Sequence, residues 1–318
     1  MAKLDISKLK NEHDEHFINF EKLRNLIIKE LEALLIENNV KLGFPVQSRI
    51  KNIDSIVEKH ESQRYRIKQS LLELQDLIGI RIVLLFRRDI EVVSQLIKNN
   101  FNVRSNYDPA DKLNYDQFGY SSKHYIVNIP DSWTNVPTNK NLNSYTVEIQ
   151  IRTLSQHNWA ETSNVLQYKN ESNVPPEILR SIGRVSALLE IVDLELERTL
   201  QDRESYIAKT DYDRNPSEIL NVDLLMSVLQ KNIPNQYQKG NENYSQLLEN
   251  LKSYSINTVS ELEKLIKEYL DIAIKKDQEY FMKPNLSDLT TPYFNFVGMV
   301  RIMLENKNSK LAIWTKVK

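Results

Sequence analysis

Seven residues, Thr146-Val-Glu-Ile-Gln-Ile-Arg152, alternate strictly between polar and apolar. An extended chain sends successive side chains to opposite faces. A strand here therefore sets Val147, Ile149 and Ile151 on one side and Glu148, Gln150 and Arg152 on the other. Such a strand belongs to a sheet with one face covered by other elements and the other face carrying an acid, an amide and a guanidinium in a row. A second segment, Ile80-Arg-Ile-Val-Leu-Leu-Phe86, is short, apolar and rich in β-branched residues, and reads as a buried strand of the same sheet.

The elements around these two fill in a mixed architecture. Phe17, Phe20, Leu23, Ile27, Leu31, Leu34 and Leu35 recur at three- and four-residue spacing, the stripe of an amphipathic helix running to about Asn39. Helices are expected through Ser55, Ile56 and Lys59, over Leu71 to Leu77, and over Ile90 to Asn99. Strands are expected at Phe101 to Tyr107, Lys123 to Ile129 and Tyr145 to Arg152, with a polar loop from Asp108-Pro109 to Phe118. This order gives an α+β class, a mixed sheet with helices mostly on one side. From Pro175-Pro176 a long helix should run to about Arg203, with proline in its first turn. The polar stretch Ile207 to Ser217 reads as a linker. Beyond it, Asn221 to Leu229, Tyr244 to Leu251 and Val259 to Ile274 have helical periodicity, with Thr258 and Ser260 as candidate caps. The expected organisation is a first domain over residues 1–206, a linker over 207–217 and a mainly helical accessory domain over 218–318.

Composition excludes several classes. With 42 basic and 43 acidic residues the net charge is -1, so no bulk positive field draws the chain to nucleic acid or anionic lipid. There are 0 cysteines, which rules out disulfides, thiolate metal sites and a cysteine nucleophile. No stretch approaches the apolar length of a membrane span, and the amino terminus lacks the apolar core of a leader. A soluble, cytoplasmic protein with no membrane partner is expected.

Candidate chemistry lies between Arg49 and Glu161. Asp76 precedes the buried strand and Glu148 sits on the alternating one. If those strands are near neighbours, the two carboxylates converge and suit Mg²⁺, which takes one or two protein carboxylates and fills its other positions with water and phosphate oxygens. Read alone, Asp76 is equally an exposed helix-end acid, and Glu148 the partner of a nearby lysine. Lys51, Ser55 and Lys59 step by four and fall along one helical face if the helix starts early enough, a phosphate-contacting row or a solvated one. Arg81 lies inside a strand, where a guanidinium needs an anionic or aromatic partner. Tyr120 follows Gly119 at the mouth of a loop, where its ring can stack on a base, and His124 can approach a phosphate or hydroxyl. His157 and Glu161 share a helix face but lack a third ligand for a metal. His13-Asp14 with His16 has the look of a metal-hydrolase pair, against which stands a solvated helix start.

Taken in order, Arg49-x-Lys51 with Ser55-Ile56-x-x-Lys59, Asp76-Leu-Ile-Gly-Ile-Arg81, Gly119-Tyr120-x-Ser122-x-His124, and Glu148-Ile-Gln150-Ile-Arg152-Thr153 with His157-x-Trp-Ala-Glu161 resemble the synthetase domain of the RelA/SpoT alarmone synthetases over roughly residues 45–170. The resemblance implies a nucleotidyltransferase-like fold and transfer of the β,γ-pyrophosphate of ATP to the 3'-hydroxyl of a guanine nucleotide. It implies Mg²⁺ on Asp76 and Glu148, with Glu148 also helping to deprotonate the attacking hydroxyl. Arg49 and Arg81 would sandwich the adenine, Lys51 and Lys59 contact the ATP phosphates, and Tyr120 stack on the acceptor base, with His124, Gln150 and Arg152 beside it.

Departures from the family pattern cluster on the acceptor side. Tyr115-Asp116-Gln117-Phe118 stands where the family commonly has Pro-Lys-x-Asn, and Ser163-Asn164 replaces a Glu-His pair. Two enzymatic readings follow: a small alarmone synthetase acting on GDP or GTP, or a toxic relative acting on the 3' end of tRNA or on adenosine nucleotides. In the second, Arg104, Lys112 and Lys123 would supply local basic contacts and the carboxyl-terminal helices a fused inhibitor. A catalytically silent nucleotide-binding regulator is the reading from another class. The helical third would serve regulation or a homo-oligomer.

Overall fold

A computed structural model describes residues 6–61, 67–112, 121–166, 175–212, 217–239, 242–281 and 292–307. The chain forms two compact units that divide between Thr199 and Leu200.

The first unit is built on a five-stranded mixed sheet. Its strands are β1 (Gln47–Ile50), β2 (Ile78–Leu84), β3 (Asn102–Tyr107), β4 (Lys123–Asn128) and β5 (Val147–Thr153), in spatial order β1-β2-β5-β4-β3. The β2–β5 pair is parallel and the others antiparallel, so the two strands picked out first by sequence are central neighbours. Ile78, Ile80, Ile82 and Leu84 of β2 and Val147, Ile149 and Ile151 of β5 are buried on one face. The helix α1 (Ile6–Glu37) contributes Leu9, Phe20, Leu23, Ile27, Leu31 and Leu35 to the same core, and α3 (Asp89–Asn100) contributes Val93 and Ile97. Each such side chain stabilises the fold by about 1.5–3 kcal/mol relative to exposure. Of the sequence-derived stripe, Phe17 stays exposed and Leu34 is half-buried.

Several expectations are corrected. Leu71 to Leu77 is not a helix: only Leu71–Glu73 is helical, as a single 3-10 turn closed by a capping box between Ser70 and Glu73, and a further turn at Gln75 and Asp76 leads into β2. Lys51 does not share a helical face with Ser55 and Lys59, because α2 spans Ile53–Glu61 and Lys51 follows β1. The helix α5 (Pro176–Tyr212) runs past Arg203, so residues 207–212 continue it instead of opening a linker. His13 is no solvated helix start: it is buried, with Nε2 at 3.0 Å from the Lys51 carbonyl, while His16 Nδ1 meets the Tyr145 hydroxyl at 2.8 Å.

The second unit contains α6 (Val222–Asn232), α7 (Tyr244–Ser253), α8 (Val259–Phe281) and α9 (Phe296–Lys307). Asn221 and Asn243 cap the first two through side-chain oxygens. Thr258, not Ser260, caps α8, in a reciprocal pair with Glu261. Leu225, Leu229, Leu251, Leu262, Met299 and Met303 meet in its core. No helix among the described residues is long and apolar enough to cross a membrane.

Candidate functional site

Register decides which side chains share the polar face of the sheet. Glu148 pairs with Gly79, Gln150 with Arg81 and Arg152 with Val83 between β5 and β2. Across β1 and β2, Arg49 pairs with Gly79 and Gln47 with Arg81. Gln150 also pairs with His124 on β4, and His124 with Tyr107 on β3. Residues paired in a sheet point to the same side. One face therefore gathers Gln47, Arg49, Arg81, His124, Tyr107, Glu148, Gln150 and Arg152, opposite the apolar core.

Glu148 lies at the centre of this face, with 7% of its surface exposed. Its Oε1 accepts from His124 Nδ1 at 2.9 Å and from the Tyr107 hydroxyl at 3.0 Å, and its Oε2 from Gln150 Nε2 at 2.8 Å. The Tyr107 ring stacks on His124 with centroids 4.6 Å apart. Burial alone would raise the Glu148 pKa. The hydrogen bond and charge of His124 and the bond from Gln150 outweigh it, while the charge of Asp76 opposes them, and the net shift is downward. A carboxylate so held is ionised at neutral pH and ready to meet a cation.

Asp76 sits in the turn before β2, and its Oδ2 accepts from Lys51 Nζ at 2.6 Å. Lys51 is anchored there because its backbone N–H donates to the Leu77 carbonyl, a step beyond the β1–β2 ladder. Among the described residues no three His, Asp or Glu side chains form a metal cluster. Two oxygen-bearing carboxylates, close enough that the charge of Asp76 acts on Glu148, nevertheless fit the donor set of Mg²⁺, and the Lys51 ammonium already supplies positive charge at Asp76.

On the β1 side, Gln47, Ser48, Arg49, Gly79, Arg81 and Gln150 line an open cleft. Arg49 is exposed and lies across Gly79, where an added Cβ would stand 3.7 Å from its Cγ. The Arg81 Nη1 donates to Glu161 Oε1 at 2.8 Å and to Gln47 Oε1 at 3.4 Å. Glu161 belongs to α4 (Leu154–Leu166), which begins at the end of β5 with a capping box between Thr153 and Gln156. Its Oε1 also stands 3.8 Å from Arg152 Nη1 and 3.9 Å from His157 Nδ1. Burial, then the charges of Arg81 and Arg152, lower the His157 pKa against the pull of Glu161.

The fold thus brings Arg49, Lys51, Asp76, Arg81, His124, Glu148, Gln150 and Arg152 to one sheet face and its β1–β2 end. Lys59 falls in α2, its side chain outside the described residues, as is Tyr120 together with the divergent Tyr115–Phe118 run. Of the basic contacts considered for tRNA, Lys123 is paired with Glu91 at 2.8 Å and Arg104 donates to Asn128. Ser163, in place of a family glutamate, is buried against its own helix. Tyr107, Gln47 and the Arg81 partnership of Glu161 were not read from sequence. Gln47 and Tyr107 enter through cross-strand pairing and Glu161 through the approach of α4 to β2, none of which a local period reveals.

Comparison with known proteins agrees with this geometry. The family described as "Region found in RelA / SpoT proteins" matches residues 48–173. GTP pyrophosphokinase YjbM of Bacillus subtilis (strain 168) is 31% identical over 156 residues, 48% of this chain and 69% of that protein. GTP pyrophosphokinase YwaC of the same organism is 28% identical over 153 residues, 46% of this chain and 69% of its own length. The crystal structure of small alarmone synthetase 1 from Bacillus subtilis bound to its product pppGpp superposes with a TM-score of 0.50 at 25% identity, covering 60% of this chain and 98% of that one. On motifs, fold and sequence alike, the chain belongs to the RelA/SpoT family.

Proposed function

We propose that this chain is a pyrophosphokinase that transfers the β,γ-pyrophosphate of ATP to the 3'-hydroxyl of GDP or GTP, making (p)ppGpp. The observation that carries the reading is the buried, ionised Glu148, held by three donors on the same sheet face as the Arg49–Arg81 cleft, in a chain whose curated relatives are GTP pyrophosphokinases. In the transfer, the acceptor 3'-oxygen bonds to the β-phosphorus, the bond from that phosphorus to the α–β bridging oxygen breaks, and AMP leaves. Such a reaction depends on in-line positioning and charge neutralisation more than on covalent chemistry.

The residue roles follow the resemblance to the RelA/SpoT synthetases, and the shared sheet face supports them for the described residues. Arg49 and Arg81 flank Gly79 and offer two flat guanidinium faces for the adenine. Lys51 and Lys59 serve the phosphates, and Tyr120, His124, Gln150 and Arg152 serve the acceptor. Asp76 and Glu148 are the residues that would hold Mg²⁺, which when bound neutralises the charge of the triphosphate. Glu148, fixed through Oε1 by Tyr107 and His124, draws the proton of the attacking hydroxyl. The second unit is assigned a regulatory role. A homo-oligomer is assigned to α5, on which Val185, Leu188, Val192 and Leu196 are exposed.

The test incubates the protein with γ-labelled ATP and, separately, GDP, GTP, ATP alone and deacylated tRNA. Label is expected on the guanine nucleotides; label on tRNA alone overturns the reading. Glu148→Gln is expected to lower transfer by about a thousandfold or more, the scale of losing a group that meets developing charge, and undiminished transfer removes Glu148 from the mechanism.

A further inference from the structure

We propose that Glu161 is a positioning residue of the donor site: by holding one edge of the Arg81 guanidinium it fixes the plane on which the adenine of ATP stacks. The inference rests on the donor-clamp reading of Arg81 given above and extends it to a residue on a different element.

An arginine side chain carries about 2 kcal/mol of rotamer entropy, which a stacking partner must overcome unless the protein has already done so. Arg81 projects from β2 into an open cleft, where its own strand cannot immobilise the end of the side chain. Two oxygens converge on a single atom of it, Nη1: Glu161 Oε1 at 2.8 Å and Gln47 Oε1 at 3.4 Å. Both approaches are through N–H bonds, which lie in the guanidinium plane, so the flat face is left for a ring. A partner stacked above Arg81 would have consumed the very surface that the base needs.

Glu161 is well placed to act in this way. The helix α4 is locked to the end of β5 by the Thr153–Gln156 capping box, at 2.9 and 3.1 Å, and Thr153 Oγ1 donates to the buried Asp193 at 2.5 Å. Glu161 therefore rides on a rigid element tied to the sheet that carries Glu148. The same carboxylate faces Arg152 and His157, and burial together with the two arginines lowers the His157 pKa. At neutral pH Glu161 consequently serves two guanidiniums, with the shorter contact to Arg81.

The test measures steady-state transfer to GDP, equilibrium binding of a non-hydrolysable ATP analogue, and thermal unfolding for Glu161→Ala, Glu161→Gln, Arg81→Ala and the double variant Glu161→Ala with Arg81→Ala. Glu161→Ala is expected to raise the KM for ATP and weaken analogue binding about fivefold, an ion-supported hydrogen bond discounted for exposure. The kcat and the unfolding temperature should hold, and the KM for GDP should change less than that for ATP, because the contact to Arg152 is the longer one at 3.8 Å. Glu161→Gln, which keeps an acceptor oxygen, should recover part of the loss. In the Arg81→Ala background, removal of Glu161 should add nothing. Full additivity there, or a change in the KM for GDP in place of that for ATP, overturns the proposal. If the unaltered protein binds the analogue but labels no guanine nucleotide, the proposed function fails while the binding arm still decides the role of Glu161. If it binds no analogue at all, both fail.

Discussion

Replacing His124 with phenylalanine isolates the interaction that keeps Glu148 charged. The flat ring that stacks on Tyr107 is kept, whereas the Nδ1–H donated to Glu148 Oε1 at 2.9 Å is removed. A hydrogen bond to a buried charged group is worth about 1.5–3 kcal/mol. Both residues are 7% exposed, so solvent does not replace the lost donor. The bonds from Tyr107 and Gln150 then still oppose burial, and the Glu148 pKa should move upward from its depressed position. Because the native pKa of Glu148 is depressed, its stabilising contribution is present above the unfolded carboxylate value and is lost as pH falls through the folded one. The stability gap between the unaltered protein and His124→Phe should therefore be full, about 1.5–3 kcal/mol, near neutral pH. It should close as pH drops below the ordinary glutamate range. Urea unfolding of both proteins at a series of pH values, read as ΔG at constant m, measures it. A gap that is the same size in acid as at neutrality would refute the claim that His124 sets the ionisation of Glu148.

Two further substitutions probe the donor cleft and the second unit. Gly79→Val should leave the fold intact, since a Cβ there meets Arg49 Cγ at 3.7 Å and Nε at 3.8 Å, ordinary contacts. Its branched methyls would nevertheless stand between Arg49 and Arg81, and the KM for ATP should rise about tenfold or more with an unchanged unfolding temperature. An unchanged KM would move the adenine out of this cleft. Gly298→Ala should destabilise the second unit by about 1–3 kcal/mol through overpacking, because the new Cβ falls 3.0 Å from Phe294 Cδ1 and 3.2 Å from Asn295 Oδ1, the oxygen that accepts from the Gly298 N–H. Calorimetry should show a loss confined to one transition, with transfer activity retained at low temperature. A uniform shift of all unfolding would show that the two units melt as one.

Sequence made some elements legible because their side chains meet the physical requirement alone. Strand β5 announces itself through alternation, and β2 through a β-branched apolar run, since each is dictated by one buried face. Strand β1 does not: Gln47-Ser-Arg-Ile has no apolar face and is defined only by its pairing with β2, some thirty residues away. The Leu71–Leu77 segment has local helical spacing, yet a capping box at Ser70 and Glu73 spends it on a single turn, and Leu74 and Leu77 are buried in the sheet core. Helix α9 left no stripe because Val297, Met299, Val300, Ile302, Met303 and Leu304 are all buried, and a helix apolar all round has no amphipathic period. The polar end of α5 gives the converse error: Ile207-Ala-Lys-Thr-Asp-Tyr212 carries too few apolar residues to show a stripe, so nothing in its hydropathy separates helix from linker.

The site obeys the same division, and this explains which residues were found. Glu148, Gln150 and Arg152 are visible because a strand puts every second residue on one face, so three functional groups repeat at a local period. Tyr107 and Glu161 meet the site through β3–β4 pairing and through the fold-back of α4 onto β2, and neither contact has any local period to betray it. Long-range pairs of this kind tune what the short-range motif supplies. Burial acting alone would raise the Glu148 pKa, and Arg81 would be a mobile cation if its strand alone held it. In both cases the chemistry depends on a donor or acceptor delivered from another element, so substitutions at Tyr107, His124 and Glu161 should change how Glu148 ionises and how Arg81 is oriented while leaving Glu148 and Arg81 themselves in place.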